Sequence, residues 1–261
     1  MARYQVILAY DGTEYQGFQK QAKARTVQGV VEDALLKLNW SGAAILAAGR
    51  TDAGVHASGQ VIAFDMDWRH SPWELLRALN ANLPPDVAAR DIQIAGPEFH
   101  PRYDAVSRCY RYYIFCEPLR SPLKERYAWR VWPGLELARL QAAANRLTGS
   151  HDFSAFGSPS RPGGKTVRTV SRAEWFEEGH LLVFEIVSQA FLYHMVRRLV
   201  SLQVEIGQGR RDVEQLVEYL RAPAGEKVPG LAPAQGLVLV EVRYEKNRLV
   251  EVGSESLDND E

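Results

Sequence analysis

The chain has 261 residues, 46% of them hydrophobic and 24% charged, with a formal net charge of −1. This is globular composition, enough for one large or two modest domains, and no apolar run reaches the roughly 18 residues of a membrane span. MARYQVILAY alternates and leads into polar DGTEYQG, unlike a signal peptide, and the two cysteines, Cys109 and Cys116, match no metal pair or disulfide framework, so a reduced, cytoplasmic compartment is expected.

Residues 3–10 alternate as a strand. In 26–39, Val27, Val30, Val31, Ala34, Leu35 and Leu38 recur at helical spacing behind a Thr26 cap. Residues 43–49 form a strand, a glycine-rich loop follows, and 60–66 form another strand. Ser71, Pro72 and Glu74 open a helix with a capping box. Pro84 and Pro85 end it, and 86–96 supply a fourth strand. Gly and Pro interrupt the pattern at 96–105, after which the order repeats. The second set is a strand at 105–117, a helix at 135–149 closed by Gly149, and strands at 166–178 and 180–188 turning at Glu178 and Gly179. A helix at 191–207, a shorter one at 212–222 and a last strand at 236–244 complete it. Two βαββαβ units predict an α+β chain of two ferredoxin-like halves, residues 1–104 and 105–247. An acidic tail, 248–261, is expected to be disordered.

The net charge conceals an asymmetry. Residues 251–261 carry five acids and no base, so the rest of the chain is +4. Its bases cluster: seven Arg or Lys against three acids in 100–130, four against none in 161–172, and four against one in 191–211. Interleaved tyrosines make these patches suited to a phosphate backbone with stacked bases; solvated faces are the plainer alternative.

The stretch GRTDAGVHASGQV, 49–61, sets Asp52 two residues after Arg50, with Gly49 and Gly54 nearby. A neighbouring guanidinium favours an ionised carboxylate, and such a group can serve as nucleophile or base. By spacing alone an Asx-turn is the plainer reading. The loop is no phosphate-binding Walker loop, since no Gly-Lys-Ser/Thr follows. With one carboxylate it lacks the pair that glycoside hydrolysis uses. The six histidines show no ligand spacing, so no zinc is expected. In CYRYYIF, Tyr110 and Tyr112 share one strand face and Arg111 and Tyr113 the other; these tyrosines are packing aromatics or a base-stacking surface. On 191–207, either Arg197 or Arg198 faces inward and demands an anion. The nearest acid on that helix is Glu205; a distant partner such as Asp52 would satisfy it.

GRTDAGVHASGQ, FHPRYDAVSRCYRYYIF, AFLYHMVRRLV and APAQGLVLVEV, in this order after YDGTEYQGFQKQ and TVQG, resemble the tRNA pseudouridine synthase A family over residues 3–245. The resemblance implies a pseudouridine synthase fold, with both halves in one continuous antiparallel sheet and a cleft between them. It implies an isomerase that converts uridine to pseudouridine at positions 38, 39 and 40 of the tRNA anticodon stem-loop. No cofactor and no metal are implied, and a homodimer is. Asp52 then corresponds to the nucleophile. Tyr110 matches the tyrosine that packs on the target base and serves as general base, and Arg197 the arginine that pairs with the aspartate. Leu237 matches an apolar residue of the base pocket. Arg50 and His56 join the substrate contacts, and Arg108, Arg111, Lys165 and Arg168 are candidate RNA contacts. Cys109 and Tyr113 stand where the family more often has Arg and Ile. A non-catalytic, sheet-based RNA-binding module is the alternative function.

Overall fold

The computed structural model describes residues 1–221 and 227–245; the expected acidic tail lies outside them. In the first half, β1 (Ala2–Tyr10) precedes α1 (Val27–Leu36), β2 (Leu46–Ala47), β3 (His56–Met66), α2 (Pro72–Asn82) and β4 (Val87–Ala95). The Thr26 side chain accepts the Gly29 N–H, and Ser71 and Glu74 form the reciprocal capping box. Such caps are each worth about 1 kcal/mol. Tyr4, Val6, Leu8 and Tyr10 alternate inward on β1 and meet Val31 and Leu35 of α1 and Leu75 and Leu79 of α2.

The second half holds β5 (Ala105–Phe115), a one-turn α3 (Pro122–Glu125), β6 (Trp129–Arg130), α4 (Leu137–Asn145) and β7 (Gly149–Asp152). It continues with β8 (Val167–Glu178), β9 (Leu181–Ser188), α5 (Met195–Gly207), α6 (Val213–Arg221) and β10 (Leu237–Tyr244). Tyr112, Trp175, Phe184 and Ile186 face Leu140 of α4 and Leu199 and Val200 of α5. Trp175 donates its indole N–H to Gln203 Oε1 at 2.9 Å, which satisfies two buried polar groups at once.

The strands form one sheet in the order β4-β1-β3-β10-β5-β9-β8-β7, with β2 on β3 and β6 on β5. Taken separately, β4-β1-β3-β2 and β10-β5-β9-β8 repeat one ferredoxin-like order. Pairing is antiparallel except between β5 and β6 and at the seam, where Val238 and Leu239 of β10 run parallel to His56 and Ala57 of β3. Leu237 and Leu239 lie two apart on β10 and so point to the same side. Leu237 enters the second core and Leu239 the first. The two cores therefore sit on one face of the sheet, on either side of the seam.

Several boundaries differ from expectation. β3 begins at His56, four residues early, because its first residues pair with β10, a partner nearly two hundred positions away. β2 shrinks to two residues because β10 occupies the same edge of β3 further along. α4 stops at Asn145, and Gly149, with φ +109°, opens β7 instead of capping the helix. α5 starts at Met195, because His194 takes a left-handed backbone at φ +67°. The β8–β9 turn falls on Gly179 and His180, one residue later than expected, with Gly179 at φ +61°.

Candidate active site

The loop from Gly49 to Val55 runs into β3 and brings Asp52 to Arg197 of the second half. Two anchors hold it from the segment after β1: Phe18 N–H donates to Thr51 O at 3.0 Å and Gly54 N–H to Tyr15 O at 3.2 Å. The Tyr10 hydroxyl meets Thr51 Oγ1 at 2.8 Å, and burial pushes that phenol up to about 12. Val55 N–H closes a turn onto Asp52 O, with Gly54 at φ +75°. Beneath the turn, Gly12 approaches so closely that a Cβ there would stand 2.0 Å from Val55 O. Gly12→Ala is therefore expected to destabilise the protein by about 1–3 kcal/mol, the usual range for overpacking. A lowered melting temperature, with activity lost at temperatures where the variant stays folded, checks it.

Asp52 keeps 20% of its side-chain surface exposed, so it is held yet reachable. Its Oδ2 lies 3.2 Å from Arg197 Nη1, across 145 residues of sequence. Arg197 donates its Nε–H to Ala232 O at 2.7 Å, and its own carbonyl accepts from Ala232 N–H. The Nε edge of the guanidinium is thus held on Ala232 while Nη1 meets the carboxylate. His194 Nε2 lies 3.5 Å from the same Oδ2. Of the two candidate arginines, Arg197 is the one that finds Asp52.

Tyr110 is half-buried and packs edge-on against Phe191, ring centroids 5.0 Å apart. Burial pushes its hydroxyl well above the ordinary phenol range, and Tyr10 and Asp52 push further in the same direction. Near neutral pH it is a phenol, suited to stacking and hydrogen bonding rather than to taking a proton as phenolate. Tyr112, on the same face, is fully buried and donates to Pro233 O at 2.7 Å, which sets the entry into β10. Leu237 pairs with Tyr112 and is buried in the second core.

The remaining candidates part company. Arg50 is exposed and has no hydrogen bond or ion pair among the described residues. His56 is buried: Nδ1 accepts the Gly12 N–H at 3.0 Å and lies 3.2 Å from Asp11 Oδ1, and the ring tilts over Tyr127. Burial lowers its pKa, consistent with a neutral ring that accepts at Nδ1. Its neighbours are Gly12, Asp11 and Tyr127 rather than Asp52. Arg108 donates to the carbonyls of Ala48, Arg102 and Gln189, tying the base of the Asp52 loop to the second half. Arg111 donates to Glu185, which Arg172 also pairs with, on the opposite sheet face. Arg168 donates to Lys165 O and Val167 O, and Lys165 is exposed. Among the described residues no group of three His, Cys, Asp or Glu is placed to hold a metal ion, and no helix is long and apolar enough to cross a membrane.

His194, Ala232 and Phe191 were not singled out as site residues from the sequence. His194 carried one signal, its place three residues before Arg197, but a helix assumed to begin at 191 would have aimed it differently. Nothing local marks Ala232.

Two ferredoxin-like halves that share one sheet, with a carboxylate and a guanidinium meeting over the seam, define the pseudouridine synthase class of fold. A family model described as tRNA pseudouridine synthase matches residues 6–104 and 143–245, and the chain belongs to that family of isomerases. The tRNA pseudouridine synthase A of Chloroflexus aurantiacus (strain J-10-fl) is 41% identical over 244 residues, 92% of this chain and 87% of that one. That of Geobacter sulfurreducens is 41% identical over 248 residues, 94% and 100% of the two chains. That of Latilactobacillus sakei is 40% identical over 246 residues, 93% and 98%. Among solved structures, a Cbf5-Nop10-Gar1 complex is 13% identical over 77% of this chain and 45% of that one, with a TM-score of 0.35, too distant a likeness to add to this.

Proposed function

We propose that this isomerase converts uridine to pseudouridine at positions 38, 39 and 40 of the tRNA anticodon stem-loop, with Asp52 as nucleophile. The observation that carries the reading is the Asp52 carboxylate held 3.2 Å from Arg197 of the other half, with Tyr110 beside it. The reaction breaks the N1–C1′ glycosidic bond, turns the uracil and joins C5 to C1′. N1 gains a proton and C5 loses one, so atoms and electrons balance and no cofactor is required. Asp52 attacks the nucleoside, at C1′ or at the uracil ring, and one carboxylate suffices because no water enters.

A stem base must leave its stack first, at a cost of a few kcal/mol. A ring stacked on Tyr110 recovers part of it. Leu237 lies on the same strand face as Leu239, which pairs with Tyr110, and supports an apolar floor for the base. Arg50 and Lys165, both exposed, are the contacts left for RNA phosphates. We read Arg108 and Arg111 as structural, because carbonyls and carboxylates already engage their donors, Arg168 as held to its own strand through Nη1 alone, and His56 as a support for the loop. The name that the relatives carry supports tRNA as the partner. The protein is taken to act in the cytoplasm as a homodimer, and sedimentation of the purified chain tests the dimer.

The test of the function uses unmodified tRNA tritiated at uracil C5. Turnover releases tritium to water and leaves a base whose carbodiimide adduct survives alkali at positions 38–40. A protein that shifts tRNA on a gel yet releases no tritium would be the non-catalytic binding module instead.

A further inference from the structure

Arg197 is not alone on Asp52. His194 Nε2 stands 3.5 Å from Oδ2, the oxygen that Arg197 also approaches. Among the described residues no hydrogen bond or ion pair reaches Oδ1. The two oxygens of one carboxylate are therefore in different surroundings: one is approached from two sides and the other has no partner among the described residues.

The backbone at His194 makes this geometry specific. It sits at φ +67°, ψ 0°, a region that few non-glycine residues visit and that costs on the order of 1 kcal/mol. The surrounding chain enforces it. Tyr193 exchanges backbone hydrogen bonds with Ser158 in both directions, Met195 N–H donates to Leu192 O, and the His194 carbonyl accepts from Arg198 N–H. A Cβ added to Gly157 would stand 2.8 Å from Tyr193 O, so the loop has no slack there. The His194 side chain does not cap α5, although it occupies the capping position. Its ring stacks on Tyr193, with centroids 3.7 Å apart, and its Nε2 lies within ion-pair reach of Asp52. A strained residue that forgoes a cap while facing the proposed nucleophile points to work at that nucleophile.

We propose that His194 is a positioning residue that, with Arg197, holds Oδ2 of Asp52 and leaves Oδ1 as the oxygen that attacks. The inference rests on the proposed role of Asp52 and goes beyond it by assigning the two oxygens and a second donor. At 3.5 Å the contact is longer than a good hydrogen bond, and contacts of this kind tighten when substrate closes the site. The donor is the Nε2–H of a neutral imidazole. Burial lowers the pKa of His194, and Arg197 and Arg198 on α5 lower it further, while Asp52 opposes them; Tyr193 is the other titratable group packed on the ring. The ring is thus neutral at pH 7. Acidification protonates it, places a second full positive charge on Asp52, and weakens the carboxylate as a nucleophile. Activity is expected to fall on the acid side, below the ordinary imidazole range near 6.5.

Three variants of the full chain, assayed by tritium release from C5-labelled tRNA, test this. His194→Phe keeps ring and volume but has no donor; it is expected to lose about 10- to 100-fold in kcat, the effect of one charge-assisted hydrogen bond, with KM within about threefold. His194→Asn accepts the left-handed backbone and can donate without titrating near pH 6. It is expected to keep kcat within about fivefold of wild type and to carry its acid limb at lower pH. His194→Gly relieves the backbone and removes the ring, and should fall with the Phe variant. The idea is overturned if His194→Gly or His194→Phe matches wild type, if Asn falls as far as Phe, or if the acid limb of the Asn variant stays where wild type has it. A wild-type protein that releases no tritium would instead sink the proposed function itself, so the two failures are distinguishable.

Discussion

Asp52→Asn is expected to make no pseudouridine above background, a loss of at least about 10⁴-fold, while binding unmodified tRNA within a few-fold of wild type. The substitution keeps the shape of the side chain, and with it the turn that Val55 N–H closes onto the Asp52 carbonyl. It removes only the charge and the lone-pair basicity that make a carboxylate a nucleophile. Arg197 retains its bond to Ala232 O, so the surroundings of residue 52 keep their form. Asp52→Ala should be equally inactive. Single-turnover tritium release, with gel shift on the same preparations, separates the two quantities. Turnover by the Asn variant within tenfold of wild type would end the nucleophile assignment and revive the Asx-turn reading of the residue.

Arg197→Met is expected to lower kcat by about 10²–10³-fold, the effect of removing one preorganised charged donor from a reacting centre, with little change in KM. Arg197 hydrogen-bonds Asp52 from the other half of the molecule, and its Nε–H to Ala232 O holds it there. Removing it leaves a partly buried carboxylate facing only His194, so the melting temperature should fall as well, by an amount corresponding to about 1–3 kcal/mol. Arg197→Lys should recover only part of the rate, because one ammonium cannot reach both the Ala232 carbonyl and the carboxylate in the fork geometry of a guanidinium. Combining Asp52→Asn with Arg197→Met should be no slower than Asp52→Asn alone, since both act on one step. Additive losses in that double variant would mean that Arg197 works on the substrate directly.

Much of the fold was legible in the chain because it rests on local periodicity. The inward residues Val6, Leu8 and Tyr10, the Thr26 cap and the Ser71–Glu74 box all act over a few residues. Three of the differences from expectation share one cause. The start of β3 at His56 and the short β2 follow from pairing with β10, and the break before α5 follows from the Ser158–Tyr193 exchange. Each depends on a partner far along the chain, which no window of sequence contains. The basic clusters show the same limit from the other side. A run of Arg announces charge, yet Arg108 is bound to four backbone carbonyls and Arg111 to Glu185, while Lys165 stays in solvent.

By itself, the order of residues determined the repeated βαββαβ pattern, the lone carboxylate in a glycine-rich loop, and an inward arginine that needed an anion from elsewhere. Tertiary structure alone decided which arginine met that carboxylate, and that His194 came with it. It also set Tyr110 half-buried against Phe191 and gave both neighbours of the carboxylate to a single oxygen, Oδ2. The reason is physical: periodicity and capping are properties of neighbours in the chain, whereas the surroundings of Asp52 come from two halves that meet only when β10 closes the sheet.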